Sequence, residues 1–176
     1  MQLRACLFVL LGAVLARAAA AEPPEATRFL GQLTGEWQMS GTVLGKAVQY
    51  HARGRWVLNG AWLELSMVDA GRPPRYEAQL YLSYDGNAQD YIGHWLDRFG
   101  AAGARVVATG ERHERTLVLN FPYAEGAFRD TLTLAADSAS ATLLIEAGKP
   151  DGSWSTFASY RMRRLAAGAH APRAPQ

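Results

Sequence analysis

The stretch YLSYDGNAQDYIGHWLD, at residues 81–97, decides the fold. Two runs of alternating apolar and polar side chains flank a loop that opens with Asp85-Gly86. That pattern predicts a β-hairpin. The second run ends in His94, Trp95 and Asp97, the densest group of chemically useful side chains in the sequence. We therefore take this hairpin as the starting point for both the fold and the candidate site.

The sequence on both sides of the hairpin continues the same period-two pattern. A short amphipathic helix is predicted at residues 24–33, where Gly35 ends it. Turn residues separate the predicted strands, and no connection leaves room for a crossover helix, so successive strands should pair antiparallel. Besides the second hairpin strand, strands are predicted at 37–44, 47–58, 61–68, 76–84, 105–109, 116–121, 127–134, 141–146 and 154–163.

The predicted fold is an all-β domain, an antiparallel up-and-down β-barrel of about ten strands with a short N-terminal helix over one end. A sheet of this many strands should curl and close, because closure removes its unpaired edges. A barrel of about ten strands is wider than the eight-stranded barrels whose interior side chains just fill the lumen. A cavity large enough for a small ligand is therefore expected.

The N-terminus has the three parts of a secretory signal peptide at residues 1–21. Arg4 supplies the positive charge, residues 5–16 are apolar, and residues 17–21 are mostly small. The apolar run is too short for a stable membrane span, so no integral membrane segment is expected after cleavage. This predicts a secreted or periplasmic protein with a barrel domain at 22–165 and a disordered tail at 166–176.

The charge balance argues against nucleic acid as a partner. The chain has 18 basic and 16 acidic residues, and loss of Arg4 and Arg17 with the signal peptide leaves 16 of each. A near-neutral chain with dispersed charges has no electrostatic footprint for a phosphate backbone. Cys6, the single cysteine, lies in the signal peptide, so the mature chain has no disulfide and no cysteine metal ligand. The oligomeric state is left open.

Several short motifs carry a family resemblance. Gly35-Glu36-Trp37, followed by Gly41, resembles the first-strand motif of lipocalin-type and nitrobindin-type barrels. Further matches follow at residues 56–60, at Tyr84-Asp85 and at Trp95-Leu96-Asp97. Over residues 29–163 the chain resembles a family of bacterial secreted domains of unknown function that is related in shape to calycins. The resemblance implies a calycin-like barrel with a tryptophan at its floor, and it implies no activity.

The resemblance also raises haem as a cofactor, because nitrobindin-like barrels bind haem through a histidine on a strand close to the C-terminus. Here the predicted strands at 141–146 and 154–163 contain no histidine, and His170 follows them in the tail. Met39 also stands where the family pattern has a glycine two residues after the tryptophan. Haem bound by the same ligand is therefore not supported, and the cofactor stays open.

His94 is the leading candidate for the site. If it shares a face with Ile92 and Leu96, as the apolar pattern indicates, it points into the barrel. There it could ligate a metal or haem, or orient a ligand, whereas a core histidine bonded to a neighbouring strand is the alternative. The other predicted ligand-binding residues are Tyr50, Trp56, Tyr84, Trp37, Leu80 and Leu82, with polar support from Asp97 and Trp95. For both supporting residues the alternative is structural, a turn cap for Asp97 and packing for Trp95.

The sequence contains no motif that predicts a catalytic residue or a metal site. The spacings HxH, HxxxH and HExxH, the G-x-S-x-G elbow and a Gly-rich phosphate loop are all absent from the sequence. The preferred function is binding of a small apolar or amphipathic molecule inside the barrel. One alternative is a small-substrate enzyme with His94 as acid or base, although no second titratable group is evident on the inward face. The other is a packed envelope-interaction module without a ligand.

Overall fold

The computed structural model describes residues 24–166, and within them the chain forms one α-helix and ten β-strands. The signal peptide predicted at 1–21 and the tail predicted at 166–176, apart from Ala166, lie outside these residues and stay predictions. The elements are α1 (Glu25–Gly31), β1 (Gly35–Val43), β2 (Lys46–Val57), β3 (Trp62–Asp69), β4 (Glu77–Asp85), β5 (Asp90–Asp97), β6 (Val107–His113), β7 (Thr116–Phe121), β8 (Phe128–Leu134), β9 (Ser140–Gly148) and β10 (Trp154–Arg164).

The ten strands form a closed antiparallel barrel. Each strand pairs with its neighbours along the chain, and β1 pairs with β10 to close the sheet. At this seam Met39 lies opposite Met162, and Gly41 lies opposite Tyr160. A Cβ atom on Gly41 would lie 1.9 Å from the carbonyl oxygen of Ser159, so only glycine allows this close approach. The predicted all-β, up-and-down barrel with a short N-terminal helix is confirmed.

The helix α1 fills one end of the barrel, which we call the closed end. Phe29, Leu30 and Leu33 are buried there. The indole Nε1 of Trp37 donates a hydrogen bond of 2.8 Å to the carbonyl oxygen of Leu33. Gly54 lies directly beneath the same carbonyl, because a Cβ atom at this position would be 2.0 Å from the oxygen. The short helix is thus held by a side-chain hydrogen bond and by close backbone packing.

Arginine side chains bind polar groups of α1 and of the residues that follow it at the closed end. Arg164 donates to the carbonyl oxygens of Thr34 and Gln32, and its guanidinium lies 4.2 Å from the Trp37 ring centroid. Arg112 forms an ion pair with Glu25 of the helix. These contacts satisfy carbonyl and carboxylate oxygens at the helix, where backbone groups would otherwise lack partners. The opposite end, where β1 finishes at Val43, has no such plug among the described residues, and we call it the open end.

The turn between β2 and β3 differs from the prediction. The dipeptide Asn59-Gly60 is typical of a two-residue hairpin turn, but Leu58–Gly60 forms a single 3-10 turn. Leu58 and Asn59 both have positive φ, at 50° and 58°. The connection is therefore longer than a two-residue loop.

Within residues 24–166 no helix is long and apolar enough to cross a bilayer.

Candidate functional site

The open end of the barrel contains a cavity of about 570 Å³. Its walls come from both halves of the chain, since strands β1, β2, β5, β7, β8, β9 and β10 all contribute side chains. The apolar part of the wall is formed by Val43, Val48, Phe121, Phe128, Ile145 and Phe157. Ligand sites in proteins commonly combine such an apolar lining with a few polar groups.

Aromatic rings in contact with one another make up much of the wall. Phe121 stacks on Tyr123 with ring centroids 5.9 Å apart, and Tyr123 meets Phe128 edge to face at 5.7 Å. Phe128 in turn meets Phe157 edge to face at 5.3 Å. Edge-to-face pairs of this kind are favourable, and together they fix the orientation of the rings. This side of the cavity is therefore a preformed aromatic surface.

Three tyrosines form a second aromatic group on the other side. The ring of Tyr50 lies 5.8 Å from that of Tyr160 and 5.9 Å from that of Tyr76. Burial raises the pKa of each of these phenols above its ordinary value. At neutral pH the three hydroxyl groups are therefore protonated, and those of Tyr50 and Tyr160 are hydrogen-bonded to each other.

Asp97 and Trp95, at the end of β5, belong to the same wall. The hydroxyl of Tyr76 donates to Oδ2 of Asp97 at 3.3 Å, and the indole of Trp95 donates to the Tyr76 hydroxyl at 3.4 Å. The backbone N–H of Phe99 donates to the other carboxylate oxygen of Asp97 at 2.9 Å. The Asp97 carboxylate is thus already engaged in ordering the rim. Lys46 and Arg75, both exposed, are the basic residues of the lining.

Asp130 is the deep polar group of the cavity. It lies on β8, one inward position below Phe128, between Leu119 of β7 and Ile145 of β9. Its exposed fraction is only 3%. Among residues 24–166 no hydrogen bond or ion pair reaches its carboxyl group, and burial alone raises its pKa to about 7. A buried carboxyl without a protein partner is rare, so its place in the cavity calls for an explanation.

A smaller cavity of about 380 Å³ adjoins the first. It opens between the segments 98–106 and 122–127, and Trp95, Asp97, Tyr123 and Phe128 line both cavities. The exposed Phe99 also borders both. The two cavities therefore share part of one wall.

The structure brings only part of the predicted site together. Tyr50, Trp95 and Asp97 line the cavity at the open end. Trp56 lies beside Gly31 of the helix, and Tyr84 packs on Tyr91 with ring centroids 5.1 Å apart, both at the closed end. Three other predicted residues are fully buried core residues that do not line this cavity: Trp37, Leu80 and Leu82.

The inward orientation predicted for His94 is wrong. In the register of β4 and β5, Leu80 lies opposite Trp95, and Tyr81 lies opposite His94. Because Leu80 faces the core, its partner Trp95 faces inward, and His94 faces outward. Its Nε2 is hydrogen-bonded at 2.7 Å to the carbonyl of Ala104. The apolar Ile92 and Leu96 misled the prediction, since both lie on the outer face.

The most informative cavity residue missed from the sequence is Asp130, and a signal for it existed. Asp130 occupies every-second-residue positions together with Phe128, Leu132 and Leu134, so the period-two pattern places a carboxylate on an otherwise apolar face of the strand. The expectation that no second titratable group faces inward is therefore wrong. Phe157 had no such signal, because it reaches the cavity at a β-bulge between Thr156 and Ala158. A bulge changes the alternation of a strand, and the period-two pattern does not reveal it.

The histidines offer no ligand to this cavity within the described part of the chain. His94 is bonded to Ala104, while His51 and His113 are exposed on the barrel surface. Residues 24–166 also contain no group of three His, Cys, Asp or Glu side chains that could hold a metal ion. His170, named above beside the haem comparison, lies outside the described residues.

Comparison with known proteins places the chain in a family. No curated protein matches it. The family described as "Protein of unknown function (DUF1579)" matches residues 22–164, a range that includes α1 and all ten strands of the barrel. This confirms the resemblance to a family of unknown function with a barrel fold, whereas a bacterial origin and secretion stay predictions. Because the match spans most of the sequence, the protein belongs to the DUF1579 family.

Proposed function

We propose that this protein is an extracytoplasmic binding protein that holds a small apolar or amphipathic molecule in the cavity at the open end of its barrel. The observation that carries the proposal is the cavity of about 570 Å³ with preformed aromatic walls. Its size is within the range of small-molecule sites, which is roughly 300–1,000 Å³. The extracytoplasmic location rests on the signal peptide predicted at residues 1–21.

The same cavity weighs against both alternatives. A packed module without a ligand would fill its interior, as the leucine-rich closed end of this barrel does, but the open end is not filled. The enzyme alternative relied on His94 as an acid or base inside the cavity. Since His94 faces outward and is bonded to Ala104, that alternative loses its proposed catalytic group.

Titration with the uncharged apolar dye N-phenyl-1-naphthylamine tests the proposal. We expect saturable binding, measured as enhanced dye fluorescence and as quenching of Trp95, which lines the cavity. Replacing the inward Val48 by Trp should fill part of the cavity and weaken dye binding by about tenfold or more. Gln49→Trp is the matched control, because it adds a similar volume at the next, outward-facing and exposed position of β2.

The outcomes are decisive in both directions. Saturable binding that is weakened in Val48→Trp and unchanged in Gln49→Trp supports a site inside the open end. Absence of saturable binding to the wild-type protein would contradict the proposed function. So would equal weakening by both variants, because the dye would then be bound on the surface or by a partly unfolded chain.

A further inference from the structure

The unpartnered carboxyl group of Asp130 indicates which chemical class of ligand fits the cavity. The inference drawn from it rests on the proposed binding function. Asp130 is oriented into the cavity and almost completely removed from solvent. Its strand neighbours across the ladders, Leu119 and Ile145, are apolar and offer no hydrogen bond. The carboxyl group is therefore a polar feature at the depth of the cavity that no protein group satisfies within residues 24–166.

The charged and titratable groups around Asp130 leave it without a cationic partner. Tyr123 and Tyr160 are close enough for the carboxyl group to affect their pKa, and Tyr50 and Tyr76 lie beyond them. Further out the cavity holds Asp97, Lys46 and Arg75. Arg75 forms an ion pair of 3.5 Å with Asp69, which does not line the cavity. Neither Lys46 nor Arg75 alters the pKa of Asp130.

The walls around the carboxyl group favour a positive charge. The side chains of Tyr50, Tyr76, Tyr160 and Trp95 all line the same space. Aromatic faces attract ammonium groups, and the attraction strengthens where water is excluded. A carboxylate surrounded by aromatic rings therefore provides both a hydrogen-bond acceptor and a favourable electrostatic environment for a cation.

Other head groups fit less well. A carboxylate placed deep in the cavity would meet Asp130 as a like charge. A fatty acid entering tail first would leave its carboxylate near Lys46 and Arg75, but its methylene groups would cover Asp130 and leave it without a partner. An alcohol could donate one hydrogen bond but would not balance the charge. An ammonium group satisfies the acceptor and the charge together.

We infer that the cavity binds a lipophilic amine, with its ammonium group paired to Asp130 and its apolar body against the aromatic walls. No covalent bond forms between the ligand and the protein, and any proton that the Asp130 carboxyl group holds before binding is released to solvent. In the empty cavity, burial raises the pKa of the Asp130 carboxyl group to about 7, so at acidic pH the group holds a proton that the amine must displace. Amine affinity should therefore fall as the pH drops below 7.

The test uses n-octylamine, 1-octanol and octanoate, which share one chain length and differ in the head group. Each is titrated as a competitor of N-phenyl-1-naphthylamine on the full protein. At pH 8 we expect octylamine to bind about tenfold or more tightly than either of the others. Between pH 8 and pH 5 its affinity should fall by up to about 100-fold, while octanol binding changes little.

Asp130→Asn supplies the variant for this test, since asparagine has nearly the same shape and cannot carry the charge. The preference for octylamine over 1-octanol and its pH dependence should both be lost. Because this preference is a ratio of two affinities measured on the same variant, it does not depend on how tightly that variant binds the dye. Glu111→Gln is the matched control, because it removes one negative charge from an exposed position on β6, near the closed end. It should leave the preference unchanged. The far-UV circular dichroism spectrum and the urea unfolding midpoint of Asp130→Asn report whether the variant is folded.

The failures of the two proposals are distinguishable. If wild-type protein binds the dye but octanol or octanoate competes as well as octylamine, the amine inference is overturned and the binding function stands. The inference also fails if octylamine affinity does not depend on pH in the wild-type protein, a result that needs no variant. If no dye binds at all, the binding function itself is contradicted, and the amine inference falls with it.

Discussion

At the level of single residues, Asp130 makes the stability of the empty barrel depend on pH. Its pKa is raised by burial to about 7, so between its ordinary pKa and pH 7 the folded state holds a proton that the unfolded state has released. The free energy of unfolding is then highest below the ordinary pKa of aspartate and falls as the pH rises towards 7. Above pH 7 this stabilising contribution is absent, and the ionisation of Asp130 no longer changes the free energy of unfolding.

Comparison of the wild-type protein with Asp130→Asn isolates this effect, because all other titrating groups are shared. Urea unfolding should show that Asp130→Asn gains stability relative to the wild type by about 2–3 kcal/mol between pH 5 and pH 8. The sign follows from the raised pKa, since only the wild-type protein must bury a charge at the higher pH. A stability difference that is the same at both pH values would contradict the buried, unpartnered state of this carboxyl group.

Which residues face the cavity could be predicted only in part from the sequence. Tyr50 was correctly expected on the inner face, because β2 alternates regularly over its whole length. On β5 both faces carry apolar side chains, so hydrophobicity alone did not distinguish His94 from Trp95. Register with β4 distinguishes them, and register is set by pairing with a neighbouring strand rather than by the strand's own residues.

At the level of elements, the docking of α1 depends on Gly54 of β2. A methyl group there would lie 2.0 Å from the Leu33 carbonyl oxygen, which also accepts the Trp37 indole hydrogen bond. Gly54→Ala should therefore displace the end of the helix and lower the free energy of unfolding by at least about 2 kcal/mol, measured by urea denaturation. Gly86→Ala is the control.

Gly86→Ala adds the same methyl group as Gly54→Ala, but at a position where the group has room. Gly86 lies in the turn between β4 and β5, and no atom lies within 4 Å of the position that a Cβ would take. Its replacement should change the free energy of unfolding by less than about 0.5 kcal/mol. Equal unfolding midpoints for the two variants would show that the backbone of α1 does not pack on Gly54.

The positions of most elements could be predicted from the sequence, since alternation and turn residues mark them clearly. Strand β7 was predicted at its observed bounds, Thr116–Phe121. Strand β6 is predicted at 105–109 but extends over Val107–His113, because a glycine such as Gly110 is by sequence alone typical of a turn. Gly110 instead lies in the strand, where a Cβ atom would be 2.3 Å from the carbonyl oxygen of Val118. Close packing of two strands and a turn both favour glycine, so the residue alone does not separate them.

At the level of the whole molecule, closure between β1 and β10 leaves the sheet without an unpaired edge. Amides of β1 and β10 should therefore exchange with deuterium as slowly as those of β4 and β5 in native-state experiments followed by mass spectrometry. The reason is that each of these strands is paired with a neighbour on both sides. Arg161 of β10, for example, lies between Ser40 of β1 and Thr142 of β9. Rapid exchange confined to β1 and β10 would indicate an open sheet instead.

The barrel itself was predictable because many weak signals agreed. Ten strands in sequence with short connections permit few arrangements other than an antiparallel meander, and the width of that meander favours closure. The cavity was expected for the same geometric reason. Its location at one end was not, because that depends on where α1 packs and on how the large side chains are distributed between the two ends.

The plug formed by α1 at the closed end has a kinetic consequence. With one end filled by Phe29, Leu30 and Leu33, a bound molecule must leave through the same rim by which it entered. Its residence time then depends in part on the segments 98–106 and 122–127, which contribute Phe99 and Tyr123 to the lining at the open end. Substitutions in these two segments at residues that do not line the cavity would therefore alter the rates of capture and release together, while the equilibrium constant stays almost the same.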